Sequence, residues 1–283
     1  MKKVLMPTDF STNSINALQY AVSLFRDEEC TFFLLNTFTP VLYDTEYILY
    51  STTQPGLEEI YRDNSEKGLQ KVKKRITATD KSPKHTFELI SAFNLLIEEI
   101  KDQVKEKNID LVVMGTQGAT GAQEVLMGTN TVQAIKKVRC PLLAIPSDYE
   151  FTTPDNILFP TDYEIDYSSG KLQLLKDIIK TFDSKLNILH VMEKKELPPE
   201  KEKNKKLLAT QMDNVKHQFY SIEKKALTEA IYDFQNEHPT DMLVMINNKH
   251  SFFENLLFRP VINKIGFHLK VPFLVIPSGK YST

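Results

Sequence analysis

Apolar positions in this chain come in short unbroken runs, each followed by a longer stretch with a helical period. The first run is VLM at 4–6, closed by Pro7. After it, Ala17, Tyr20, Ala21, Leu24 and Phe25 recur at helical intervals and share one face, and Ser11 stands where a helix N-cap belongs. TFFLLNTF (31–38) predicts a second strand, and 57 to about 76 a charged helix. HTFELI (85–90) predicts a third strand. NLLIEEIKDQVKEKN (94–108) predicts an amphipathic helix with Leu96, Ile97, Ile100 and Val104 inward. LVVMG (111–115) is a fourth strand, 129–138 a helix, and PLLAIP (141–146) a fifth strand. Short, wholly apolar strands suit a parallel sheet covered on both faces. Their alternation with helices implies right-handed crossovers and a doubly wound α/β fold.

The pattern is then written a second time. KKVLMPTDFS from Lys2 matches DNILFPTDYE from Asp155, which sets Asp9 beside Asp162. IDLVVMGTQG from Ile109 matches TDMLVMINNK from Thr240, and RCPLLAIPS from Arg139 matches KVPFLVIPS from Lys270. Gly115 to Pro146 and Ile246 to Pro277 are both 31-residue intervals. Three matches in one order indicate duplication. Two tandem doubly wound domains are expected, each a five-stranded, mostly parallel sheet with helices on both faces. The expected boundaries are 1–147 and 156–283, with 148–155 as a polar linker. The copies differ most after their second strands. The first has TPVLYDTEYILYSTTQPG there, and the second has EKKELPPEKEKNKK, which reads as a solvated loop or helix start. Tyr43, Tyr47 and Tyr50 are candidates for a lid, a partner surface, or packing against the helical face.

Composition narrows the class. At 283 residues, with 41% hydrophobic and 25% charged residues, the chain can build its core without disulfides or metal. A net charge of -2 gives no field to recruit nucleic acid or an anionic membrane. No run of about 18 apolar residues is present, so no membrane span is expected. MKKVLMPTDFS reads as a first strand rather than a signal peptide, and the two cysteines, Cys30 and Cys140, lie far apart. A cytoplasmic protein with reduced thiols is the expectation, with Cys140 a buried apolar residue.

Candidate chemistry gathers at GTQGATGAQEVLMGTNT (115–131). The chain has nine glycines, and four of them, Gly115, Gly118, Gly121 and Gly128, fall in this stretch. In a doubly wound sheet, ligands bind beyond the carboxyl ends of the strands. Gly115 and Asp9 both follow strands on that rim. The glycines lead to Gly128-Thr129, where a helix begins and offers unpaired N–H groups. Backbone without side chains can approach phosphate oxygens there. Neither GxxxxGK[ST] nor GxGxxG is present, so the common phosphate motifs do not apply. Asp9 could accept from a ribose or a base, or cap the following helix, or do both.

These residues resemble the universal stress protein family in its nucleotide-binding branch, which carries G-x2-G-x9-G-[S/T] after the fourth strand and an Asp ending the first. The chain resembles the tandem form of that family over nearly its whole length. The resemblance implies an adenine nucleotide alpha hydrolase-like fold and ATP as ligand, with Mg or Mn held mainly by the phosphates. It puts Pro7, Thr8 and Asp9 near adenine and ribose, and Thr37 beside the base. Met114, Gly115, Gln117 and Gly118 would line ribose and phosphates, and Gly128, Thr129, Asn130 and Thr131 would hold the outer phosphates. Two positions depart from the family: LLNTF stands where Leu-His-Val is usual, and Phe93 replaces a small residue. The family also pairs domains through the edge strands formed here by PLLAIP and PFLVIP. Intramolecular pairing is therefore expected, with a homodimer and an unknown protein partner left open.

The second copy lacks the motif: Ile246, Lys249, Arg259 and Pro260 stand at the places of Gly115, Gly118, Gly128 and Thr129. One nucleotide site per chain is expected, in the first copy. Hydrolysis needs a base, a cation and usually a carboxylate-held metal. The glycine loop offers Glu124 and, across the rim, Asp9, while His85 is predicted at the opposite end of the sheet. A binding protein of the stress response with slow hydrolysis at best is the reading. A nucleotide-independent interaction scaffold with vestigial sites is the alternative.

Overall fold

The structure is a computed structural model that describes residues 1–39, 57–116, 127–165, 167, 170–192, 196–223, 226–248 and 270–279. In the first half, β1 (Lys2–Pro7), α1 (Thr12–Leu24), β2 (Cys30–Phe38), α2 (Leu57–Thr79) and β3 (His85–Phe93) are followed by α3 (Leu96–Lys107), β4 (Leu111–Gly115), α4 (Thr129–Lys137) and β5 (Leu142–Ile145). The second half runs β6 (Asn156–Pro160), α5 (Gln173–Phe182), β7 (Lys185–Met192), α6 (Pro199–Met212), β8 (His217–Glu223), α7 (Leu227–Glu237), β9 (Met242–Asn247) and β10 (Phe273–Pro277).

The ten described strands form one sheet in the order β3-β2-β1-β4-β5-β10-β9-β6-β7-β8. Each half contributes the same internal order, the second laid out in reverse. Pairing is parallel within each half. At the middle β10 meets β5 antiparallel, with Phe273 opposite Ala144 and Val275 opposite Leu142. The last strands of the two halves thus cover each other's edges, which would otherwise expose unpaired backbone. Asn247 Nδ2 donates to the Ile135 carbonyl at 2.9 Å across the same seam.

Alternating strand positions build a core on each face. Val4 and Met6 belong to one buried cluster with residues of α1, α2, α5 and α6, while Leu5 belongs to the other, with residues of α3, α4 and α7. Ser11 caps α1 as its position implies, accepting from Ser14 N–H at 3.2 Å. α3 ends where Asn108 adopts a left-handed φ of 52°. The lysine- and glutamate-rich run enters α6, which buries Asn204, Leu208 and Met212.

Two readings need correction. β3 extends to Phe93, three residues beyond the apolar run that signals it. The joining segment is not merely polar: Tyr149 and Phe151 pack on Tyr20 of α1, with ring centroids 6.1 and 5.2 Å away. Phe151 also meets Phe182 of α5, so this segment ties α1 to the second half. Tyr43, Tyr47 and Tyr50 lie outside the described residues.

Candidate functional site

At the carboxyl ends of β1, β2 and β4 lies a cavity of about 340 Å³. Its lining includes Pro7, Thr8, Asp9, Thr37, Met114, Gly115, Gly128, Thr129, Asn130 and Thr131, all named from the sequence. Gln117 and Gly118, together with Gly121 and Glu124, lie outside the described residues. Ser14, Asn36 and Leu96 also line the cavity and were missed by the motif.

The turn after β1 sets the floor. Phe10 takes a positive φ of 66°, which swings the chain sharply from strand to helix. Gly68 of α2 makes room for it, since a Cβ there would stand 2.4 Å from the Phe10 ring. Asp9 Oδ1 accepts from Ser11 N–H at 3.0 Å, so Asp9 closes the local turn while Ser11 caps α1. The Asp9 side chain is exposed at the rim. Thr8 is buried, and its hydroxyl accepts from Phe10 N–H at 3.0 Å and bonds the Ser14 hydroxyl at 2.8 Å. Asn36 Nδ2 donates to the Thr8 carbonyl at 2.7 Å and fixes the β2 wall. A polar residue inside FFLLN was the available signal for Asn36. Phe93 pairs with Phe38, centroids 5.7 Å apart, and remains 49% exposed outside the lining.

The opposite wall is the start of α4. Gly128 occupies its N-cap with an extended φ and ψ of -54° and 146°, and no side chain caps the helix. The Thr131 hydroxyl donates to the Gly115 carbonyl at 2.9 Å, so that hydroxyl is already engaged and its residue is 2% exposed. Gly128 N–H donates to the Thr116 carbonyl. These bonds hold the first turn of α4 against the end of β4. Uncapped N–H groups and the positive end of the helix dipole make this wall receptive to an anion. Among the described lining residues, Asp9 is the one formally charged side chain.

His85 lies at the start of β3, the other end of the strands from the cavity. Its ring is buried between Asp80 Oδ2 at 2.8 Å and the Phe25 carbonyl at 3.0 Å, a packing role. Among the described residues, no three or more His, Cys, Asp or Glu side chains gather as a metal site.

The matching place in the second half encloses about 10 Å³ between Thr161, Asp162, Ile165, Tyr167, Ile246 and their neighbours. The backbone frame is the same. Tyr163 has a positive φ of 58°, and its N–H donates to the Thr161 hydroxyl at 3.2 Å. Asp162 accepts from Glu164 N–H at 3.1 Å, as Asp9 does from Ser11 N–H. His190 Nδ1 donates to the Thr161 carbonyl at 2.8 Å, the role Asn36 has in the first half. Burial holds the His190 pKa below its ordinary value, with Lys201 and Lys205 adding to that, against the Thr161 bond and Asp162. Burial likewise pushes the Tyr163 and Tyr167 phenols up from their ordinary range. Lys249, Arg259 and Pro260 lie outside the described residues.

Comparison with known proteins bears on both halves. The profile of the Universal stress protein family matches residues 1–146. A universal stress protein of Methanocaldococcus jannaschii is 27% identical over 149 residues, 51% of this chain and 81% of that protein. One from Bacillus subtilis is 25% identical over 146 residues, 50% of this chain and 97% of its own length. Among solved structures, a universal stress protein from Archaeoglobus fulgidus superposes with a TM-score of 0.68 over 99% of this chain and 97% of its own, at 17% identity. That last likeness is one of fold. No described helix is long and apolar enough to cross a membrane.

Proposed function

This chain belongs to the universal stress protein family, and from that premise we propose that its first half binds ATP as a regulatory ligand, one nucleotide per chain. The observation that carries the reading is the start of α4. A glycine-capped helix with no side-chain cap faces a cavity of about 340 Å³, large enough for much of a nucleotide.

In this reading the N–H groups of Thr129, Asn130 and Thr131 receive the phosphates, and the exposed Asp9 carboxylate accepts from ribose hydroxyls. Thr37 and Asn36 border the base, with Leu96 as apolar surface. Gln117 and Gly118 belong to the same loop by sequence. The described wall supplies no cation, so phosphate charge is balanced by the helix dipole and by Mg or Mn bound to the phosphates themselves. That cation would supply charge neutralisation.

Chemistry at the phosphates is expected to be slow. No described lining residue is a Lys, Arg or His, so the described lining supplies neither the transition-state cation nor an imidazole base. Turnover stays below roughly one per second, an ordinary enzymatic rate. Binding then acts by differential affinity for two states of the protein, one of which a partner recognises. The second half keeps the fold and lends β10 to β5, while its own site is closed.

Calorimetric titration of the full chain with ATP tests the reading. Wild type binds, and Gly128→Arg, which sets a long side chain at the helix cap, loses at least about thirtyfold in affinity. Equal affinity in both, or no binding in either, would favour a nucleotide-independent interaction scaffold.

A further inference from the structure

The two halves share one hydroxyl station. In the first, Thr8 Oγ1 bonds Ser14 Oγ, six residues on, and in the second, Thr161 Oγ1 bonds the hydroxyl of Tyr167, also six residues on. Each threonine also accepts the N–H of the positive-φ residue two places later, Phe10 or Tyr163. The frame around the station is therefore conserved, and what changes is the side chain that answers it. Ser14 comes from the first turn of α1 and borders the open cavity. Tyr167 comes from the segment ahead of α5, and its hydroxyl reaches the same oxygen with a whole ring behind it. That ring is 1% exposed and edge-on to Phe159, centroids 6.5 Å apart. Tyr167 borders the small remaining space together with Ile165 and Ile246.

We infer that the ring of Tyr167 is the plug that closes the second site, and that Ser14 at the matching station keeps the first site open. The eroded glycine spacing is then secondary to a residue that lies outside the motif. The second half holds its own side chain where the first half would hold a ligand, which makes the asymmetry between the halves a packed, stable property. The inference rests on the nucleotide reading for its ligand, and its geometry stands apart from it.

The test has two arms on the full chain. Titration with Mg-ATP compares wild type with Ser14→Tyr, whose affinity is expected to fall at least a hundredfold while the thermal unfolding transition remains cooperative. Affinity within threefold of wild type would overturn the inference. The second arm is a crystal structure of Tyr167→Ala. An opened cavity beside Thr161 is expected, and a site still sealed by Ile165, Ile246 or other neighbours would overturn the plug. If wild type binds no nucleotide, the functional reading fails while the crystal structure still decides the role of Tyr167.

Discussion

Gly115 and Asn13 are in mutual contact: a Cβ added to Gly115 would stand 2.6 Å from Asn13 Nδ2 and 2.8 Å from its Cγ. The glycine at the end of β4 is thus required first by the side chain of α1 behind it, and only then by whatever enters the cavity. Gly115→Ala is expected to destabilise the chain by about 1–3 kcal/mol, the cost of overpacking a close contact. The urea midpoint measures it. Asn13→Gly in the same chain should return much of that loss, since the two changes are coupled through one contact. Equal and additive losses would show that the contact is not the cause.

The buried His190 gives acid sensitivity with a definite sign. Its pKa is lowered by burial, so the folded state holds it neutral while the unfolded state protonates it near its ordinary 6.5. Stability from this group is complete above about pH 6.5 and falls as the pH drops below that value, toward the lowered folded pKa. His190→Asn keeps a donor for the Thr161 carbonyl, as Asn36 does for Thr8. Denaturant midpoints at pH 7 and pH 5 should differ less in that variant than in wild type. The same acid loss in both would place it elsewhere.

Cys30 and Cys140 are buried, and burial raises both thiols, Cys30 to about 12. Only the thiolate is nucleophilic. Native protein at pH 8 should therefore react with a thiol reagent at least about a hundredfold more slowly than a free cysteine, and two thiols should titrate at once after unfolding. Rapid labelling of the folded chain would contradict this burial.

Much of this was legible from the chain. Ser11 as cap, the apolar strand runs, and the rim position of Asp9 and Gly115 follow from local rules, and the structure agrees with each. What was hidden depends on contacts between distant segments. Tyr149 and Phe151 sit in a polar run with no period, and their destination on Tyr20 exists only once α1 and the second half are assembled. Ser14 and Tyr167 become equivalent only after the positive-φ turns at Phe10 and Tyr163 aim them at Thr8 and Thr161. Asn36 differs from its neighbour Thr37 by bonding a strand-end carbonyl, which the sequence does not declare.

The central claim is one working nucleotide site in a duplicated fold, and binding stoichiometry on the intact chain tests it most directly. Equilibrium titration with Mg-ATP should saturate at one nucleotide per chain in wild type and fall toward zero with Gly128→Arg. Saturation at two per chain, or undiminished binding in the Gly128→Arg protein, would contradict the account.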